Sequence, residues 1–350
     1  MFALERESLL KTRSLQTSSM RSSLSLAIHL STSSSLSLSS ARTEKKIAAI
    51  IGRLAVRSLY EELVLTPKPG LVSLIDNGSH HDMDARSFYR SLFALRRYFV
   101  EISLAGMQGA PFAVLKQLAI HAEARMLQAT QGVNTHRGAI FCLGLLCAAI
   151  AACKAQGRLP TAAAIQASLL RHWGAALIEH SHGTDIGTHG QIVAANHAVS
   201  GAREEAARGY PAVFSVALPT FTATLAAGRD LRCAKVDTLF ALMLHIHDTN
   251  VYYRGGSSAA ELVHQHAQAF IDAGSSAAPD WQARAAASHR CFVARGISPG
   301  GAADLLAATC LLHQVLYPGL HQTMHQTERQ GAHQIEHQTE HQASHQSSKR

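Results

Sequence analysis

The run from Ala139 to Cys153 contains no charged residue. A stretch this uniformly apolar reads as a helix buried on every side. It falls short of the roughly 20 residues that cross a bilayer, and Arg137 and Lys154 bound it, so no membrane partner is expected. A core helix of this kind needs neighbours all round it, which commits the chain to a multi-helix body. Just ahead of it stands Gly132-Val133-Asn134-Thr135-His136-Arg137-Gly138, with polar and cationic groups packed between two glycines. At the start of a core helix the backbone N–H groups and the positive dipole end point outward, which suits a phosphate. Asn134 and Thr135 are equally suited to cap the helix, and the segment alone leaves both readings open.

The same periodicity runs along the rest of the chain. Ile47, Ile50, Ile51, Leu54, Ala55, Leu59 and Leu63 follow helical spacing, and Pro67 and Pro69 end that helix. The stiff loop Thr66 to Val72 carries one cation, Lys68. The turn Asn77 to Asp84 is dense in ligand-type groups. There Asp82 and Asp84 could face one hard cation, and Asp84 is also a good N-cap for the helix through Phe88, Leu92, Leu95, Phe99 and Ile102. A helix over 111–130 carries Glu123, another ends near His180, and 181–190 reads as a polar loop with two histidines. Gly209 ends a further helix, and helices are expected over 211–227 and 231–247.

Two more polar clusters follow. Asp248, Asn250 and Arg254 sit beside paired glycines at the end of an apolar helix, and Ser298 to Asp304 opens the last helix, to about Val315. Glycines in the second cluster would allow close approach to a ligand. Asp248 follows an apolar helix, so it either caps and pairs or acts on substrate. On the second reading Asp248→Asn should leave the melting temperature within a few degrees. No strand alternation of useful length occurs. The expectation is an all-α, single multi-helix domain over 43–318 with about ten helices. It would be flanked by a disordered Ser-rich extension (1–42) and a disordered His/Gln-rich tail (319–350). Every polar cluster falls at a helix end, so several ends should converge on one pocket.

Charge narrows the partners. The chain has a formal net charge of +8, which favours anionic ligands. The cations are scattered, with no basic stripe interleaved with aromatics, which argues against nucleic acid. Six cysteines without a CxxC pair read as reduced thiols of a cytoplasmic protein.

Taken together, TPKPGLV (66–72), GSHHDMD (78–84), AEARMLQATQGVNTHRGAIF (122–141), GAREEA (201–206), DTNVYYRGG (248–256) and SPGGAADLLA (298–307) resemble the triphosphoribosyl-dephospho-coenzyme A synthase family. LVLTPKPGLVS, NTHRG and SPGGAADLLA are most similar to its malonate decarboxylase branch, as opposed to the citrate lyase branch. The resemblance implies a transferase that joins ATP and 3'-dephospho-coenzyme A and releases adenine. Its product would pass to the enzyme that loads an acyl carrier subunit. It also sorts the residues. Lys68, Asn134, His136, Arg137, Asn250 and Arg254 become candidate substrate contacts, since both substrates are polyanions. Asp82 and Asp84 become candidate ligands of a Mg²⁺ accompanying ATP. Glu123 or Asp248 becomes the catalytic carboxylate. Two other readings compete. His247-Asp248 suggests a metal-dependent phosphohydrolase, and the histidine-rich tail suggests a non-catalytic metal-binding protein.

Overall fold

The computed structural model describes residues 41–182 and 201–319. The Ser-rich head, residues 183–200 and the His/Gln tail lie outside the described residues, so of the loop expected over 181–190 only Ser181 and His182 are described, and both end a helix. The backbone divides into Met1–Ile47 and Ala48–Arg350. Residues 41–47 are helical, and so are 48–63. We label the helix over 48–63 α1, and the fold and the cavity are built from Ala48 onward.

Among the described residues ten further α-helices follow: α2 (Ala85–Met107), α3 (Phe112–Ala129), α4 (Arg137–Ala155), α5 (Ala162–His182), α6 (Ala202–Ala207), α7 (Leu218–Ala226), α8 (Leu231–His245), α9 (Thr249–Asp272), α10 (Trp281–Ala294) and α11 (Gly300–Leu316). A π-helical segment, Ala212–Ala217, leads into α7, and a short 3-10 turn, Ser275–Ala277, precedes α10. No strand occurs among the described residues. The all-α expectation holds there.

α4 is the central element. Its residues from Ala139 to Cys153 are all buried except Phe141, and 78% of its most apolar window lies inside the protein. By length and composition it is the single helix among the described residues able to cross a membrane, and it is here packed among α2, α3, α5 and α11. Burying side chains such as Leu143, Leu146 and Ile150 completely contributes roughly 1.5–3 kcal/mol each. Small residues bring backbones together. A Cβ built on Gly106 of α2 would lie 2.4 Å from the Ala148 carbonyl oxygen of α4. Across the same interface the Tyr98 hydroxyl donates to the Ile140 carbonyl at 2.9 Å.

The other half is built on α8, which packs against α7, α9 and α11. Phe240 of α8 stacks on Phe270 of α9 at 3.8 Å between centroids. α11 touches both α4 and α8, so it joins the two halves. Asp84, Asp230 and Asp248 cap α2, α8 and α9 by accepting from Ser87, Cys233 and Asn250 N–H groups.

Two features depart from the sequence reading. The expected helix over 211–227 is π-helical in its first part. The paired glycines after Arg254, read as part of a cluster ending an apolar helix, lie inside α9: Gly256 kinks it with φ 64° and ψ −159°, a conformation open in practice to glycine alone.

Candidate active site

Helix ends meet around one cavity of about 1700 Å³. All five clusters contribute. Leu71 and Val72 come from the proline loop, His80 and Asp82 from the following turn, and Asn134 to Gly138 from the start of α4. Asp248, Asn250 and Arg254 come from the start of α9, and Ser298, Gly300, Gly301 and Asp304 from the start of α11. The cavity exceeds the roughly 300–1,000 Å³ of a site for one small ligand.

One wall ties three remote segments together. The Arg254 guanidinium donates to the Ser79 carbonyl at 3.1 Å and the Gly296 carbonyl at 3.3 Å. It also meets His80 Nδ1 at 3.0 Å. An arginine only donates, so His80 Nδ1 accepts and its proton sits on Nε2, which donates to Ser298 Oγ at 2.8 Å. Burial, then the nearby guanidinium, lowers the His80 pKa to about 4, so the ring is neutral at pH 7. Asp82 is exposed, 3.7 Å from His80 Nδ1. Asp84 Oδ1 is taken up by Ser87 N–H and Oγ–H, both at 2.8 Å, so its place is the cap of α2. Among the described residues no group of three His, Cys, Asp or Glu side chains is placed to hold a metal. The donors present therefore offer Asp82 as one open carboxylate and no cage for an ion.

The start of α4 forms a second wall. Arg137 pairs with Glu123 of α3, its Nε 2.6 Å from Oε1, and both are half-buried. The Asn134 side chain accepts the Arg137 N–H at 3.1 Å, a capping contact. His136 is 3% exposed, with Nδ1 2.6 Å from Ser91 Oγ and its ring edge-on to Phe88. Burial, with Lys68 nearby, lowers its pKa to about 3, so it offers a neutral nitrogen and no cation. Its Nε2 and the Thr135 hydroxyl are buried without a hydrogen-bond partner.

Lys68 sits behind this wall and does not line the cavity. It is 2% exposed, and its ammonium donates to Glu62 Oε1 at 2.6 Å and to the Glu62 carbonyl at 2.8 Å. Glu62 itself reaches the cavity.

Asp248 ties two helix starts together. Oδ1 accepts from the Asn250 N–H at 2.9 Å and its side-chain amide at 3.2 Å, and Oδ2 accepts from the Ala302 N–H at 3.0 Å. Burial raises its pKa, and the N–H donors work against that rise. The glycines of the last cluster therefore serve the protein's own groups. A Cβ on Gly301 would lie 3.0 Å from the Asp248 carboxyl, and one on Gly300 3.0 Å from the Asn250 amide. His247 Nδ1 lies 3.3 Å from the Tyr252 hydroxyl.

His80, Ser298, Glu62, Tyr210 and Asp304 are site residues that sequence reasoning did not single out. Asp304 belongs to the recognised cluster at the start of α11, and that was the available signal. Tyr210 holds a left-handed φ of 57°, rare for a bulky side chain, and nothing local announced it.

Comparison with known proteins bears on the same stretch. Residues 48–321 match the model of the family described as ATP:dephospho-CoA triphosphoribosyl transferase. A 2-(5''-triphosphoribosyl)-3'-dephosphocoenzyme-A synthase of Pectobacterium atrosepticum is 39% identical over 300 residues, covering 83% of this chain and 96% of its own. A protein of Acinetobacter calcoaceticus, whose name is the same with the qualifier "Probable", is 39% identical over 262 residues, 75% of this chain and 89% of its own. A similarly named protein of Pseudomonas fluorescens is 38% identical over 274 residues, 77% of this chain and 92% of its own. No solved structure matches. With most of its length matched by the model and by these relatives, the chain belongs to the ATP:dephospho-CoA triphosphoribosyl transferase family.

Proposed function

We propose that this protein transfers the triphosphoribosyl group of ATP to the 2'-hydroxyl of 3'-dephospho-coenzyme A and releases adenine. The observation that carries the reading is the convergence of five remote polar clusters on one cavity of about 1700 Å³, large enough for two nucleotides. Breaking the N-glycosidic bond gives the ribose oxocarbenium-like character, so negative charge nearby favours the transition state. Glu62 and Asp248 supply carboxyl groups in the wall.

Arg137 and Glu123 act as an exchangeable pair. A triphosphate offers Arg137 a denser anion, and bidentate contact with it releases the Glu123 carboxylate. The freed carboxylate is then positioned to take the proton of the attacking 2'-hydroxyl. Arg254 keeps its carbonyl contacts and presents its remaining donors to phosphate. Asn134 and Asn250, both exposed at helix starts, add neutral contacts. A Mg²⁺ entering on the triphosphate needs only one or two protein carboxylates, and Asp82 is the open one. It would screen phosphate charge.

The product is the precursor of an acyl carrier prosthetic group, passed on to the enzyme that loads the carrier. The segments 63–73, 134–138 and 298–307 support malonate decarboxylase as its destination over citrate lyase. All six cysteines are free thiols, in keeping with a cytoplasmic enzyme. The test is incubation with ATP and dephospho-coenzyme A. A triphosphoribosyl adduct by mass with equimolar adenine is expected, and phosphate release without adenine would refute the reaction.

A further inference from the structure

Adenine is a poor leaving group unless a ring nitrogen is protonated, and none of the roles above supplies that proton. This inference rests on the reaction just proposed. Glu123, once Arg137 turns to phosphate, is the base for the 2'-hydroxyl, Asp82 is open to solvent, and Asp248 accepts three hydrogen bonds. Glu62 faces its lysine. Asp304 is left. It lies in the first turns of α11 and lines the cavity, half-buried. It has no lysine, arginine or histidine partner among the described residues.

Its carboxyl is pressed against the start of α4. A Cβ on Gly138 would run into Asp304 Oδ2, so a larger residue there would displace the carboxyl. The groups facing it are Asp248 at the start of α9, Glu62 of α1 and the Cys142 thiol of α4. None is a cation. Enclosure in the wall, then Asp248 and Glu62, hold the carboxyl well above the usual carboxylate range, against a single opposing N–H donor, that of Ala139 in α4. The same wall carries the unpartnered His136 Nε2 and Thr135 hydroxyl, polar atoms that a bound ligand would satisfy.

We propose that Asp304 is the general acid that protonates the departing adenine. The proton of its O–H passes to N7 or N3 of the purine. The C1'–N9 bond breaks, and its electron pair stays with the base, which leaves as neutral adenine. The 2'-oxygen of dephospho-coenzyme A bonds to C1', and its proton passes to Glu123. Asp304 then regains a proton from solvent while Glu123 loses one, so the cycle closes without net proton change.

The test compares Asp304→Asn with the wild-type enzyme on ATP and on N7-methyl-ATP, each with dephospho-coenzyme A. A methyl group on N7 fixes positive charge on the base, which then leaves without a proton. Asp304→Asn should lose about 10²–10⁴-fold in turnover on ATP and far less on N7-methyl-ATP. In the wild-type enzyme the alkaline fall in kcat/KM with ATP should vanish with N7-methyl-ATP, a readout that needs no variant to fold. Equal losses on the two substrates, full activity of the variant on ATP, or identical wild-type pH profiles would overturn the assignment. If the wild type releases base from neither nucleotide, the reaction itself is wrong and this role falls with it.

Discussion

Asp248 is where the structure most changes what a substitution should do. Its two oxygens hold the starts of α9 and α11 through the Asn250 and Ala302 N–H groups. Asn in its place keeps one oxygen and sets an NH₂ group against the other donor. One buried N–H is orphaned, at about 1–3 kcal/mol, and the surviving bonds lose their charge assistance, roughly 1 kcal/mol more. Removing a carboxylate whose pKa burial already raises offsets part of this. The net is on the order of 1–3 kcal/mol, or a fall of about 3–10 °C for a domain of this size. Asp248→Ala removes every acceptor and the cap, on the order of 3–6 kcal/mol. Differential scanning calorimetry of wild type, Asn and Ala variants, with adenine release measured beside it, should give melting temperatures in that descending order. If both variants melt within about 2 °C of wild type while activity falls, Asp248 is not a clamp, and its carboxylate acts on substrate.

Three further outcomes follow from buried groups. Lys68→Met strands the Glu62 carboxylate in a buried position, and breaking such a pair costs about 3–5 kcal/mol, so the variant's denaturant midpoint should drop sharply. An unchanged midpoint would show that Glu62 is solvated. His136 titrates at about 3 in the fold against an ordinary 6.5, so the unfolded chain binds its proton first. Its contribution to stability is complete above about pH 6.5 and declines toward pH 3, on the order of 5 kcal/mol in all. The stability of wild type minus that of His136→Gln should therefore shrink as pH falls, and a pH-independent difference would contradict the buried, neutral ring. Gly106→Ala puts a methyl 2.4 Å from the Ala148 carbonyl oxygen, so α2 and α4 must part. Overpacking of this kind typically costs about 1–3 kcal/mol, and a thermal melt at or above wild type would contradict the close crossing.

Local pattern was enough for the helices that bury an apolar face. The uncharged run before Lys154 implied a core helix, and α4 is that helix. Proline, aspartate and glycine marked the ends of α1, α2 and α6 because turn and cap chemistry acts within a few residues. α9 and α10 were not placed, because polar residues and paired glycines break up the periodicity that marks the others. The clusters around the cavity were legible as polar interruptions at helix ends, since a polar stretch between apolar helices has few other places to go.

What each side chain does within those clusters depended on residues far away in the chain. Lys68 looked like a loop cation, but α1 places Glu62 against it and burial removes it from the cavity. Glu123 and Arg137 read as separate roles until the α3–α4 packing made them one pair. The glycines at the start of α11 suggested room for a ligand, and tertiary packing fills that room with Asp248 and Asn250. His136 reads as a cation by residue type and is a neutral group by burial. Periodicity and capping are set by neighbours within one or two turns, so the sequence alone determines them. Desolvation and pairing are set by whichever surfaces meet across the fold, and only the tertiary structure decides those.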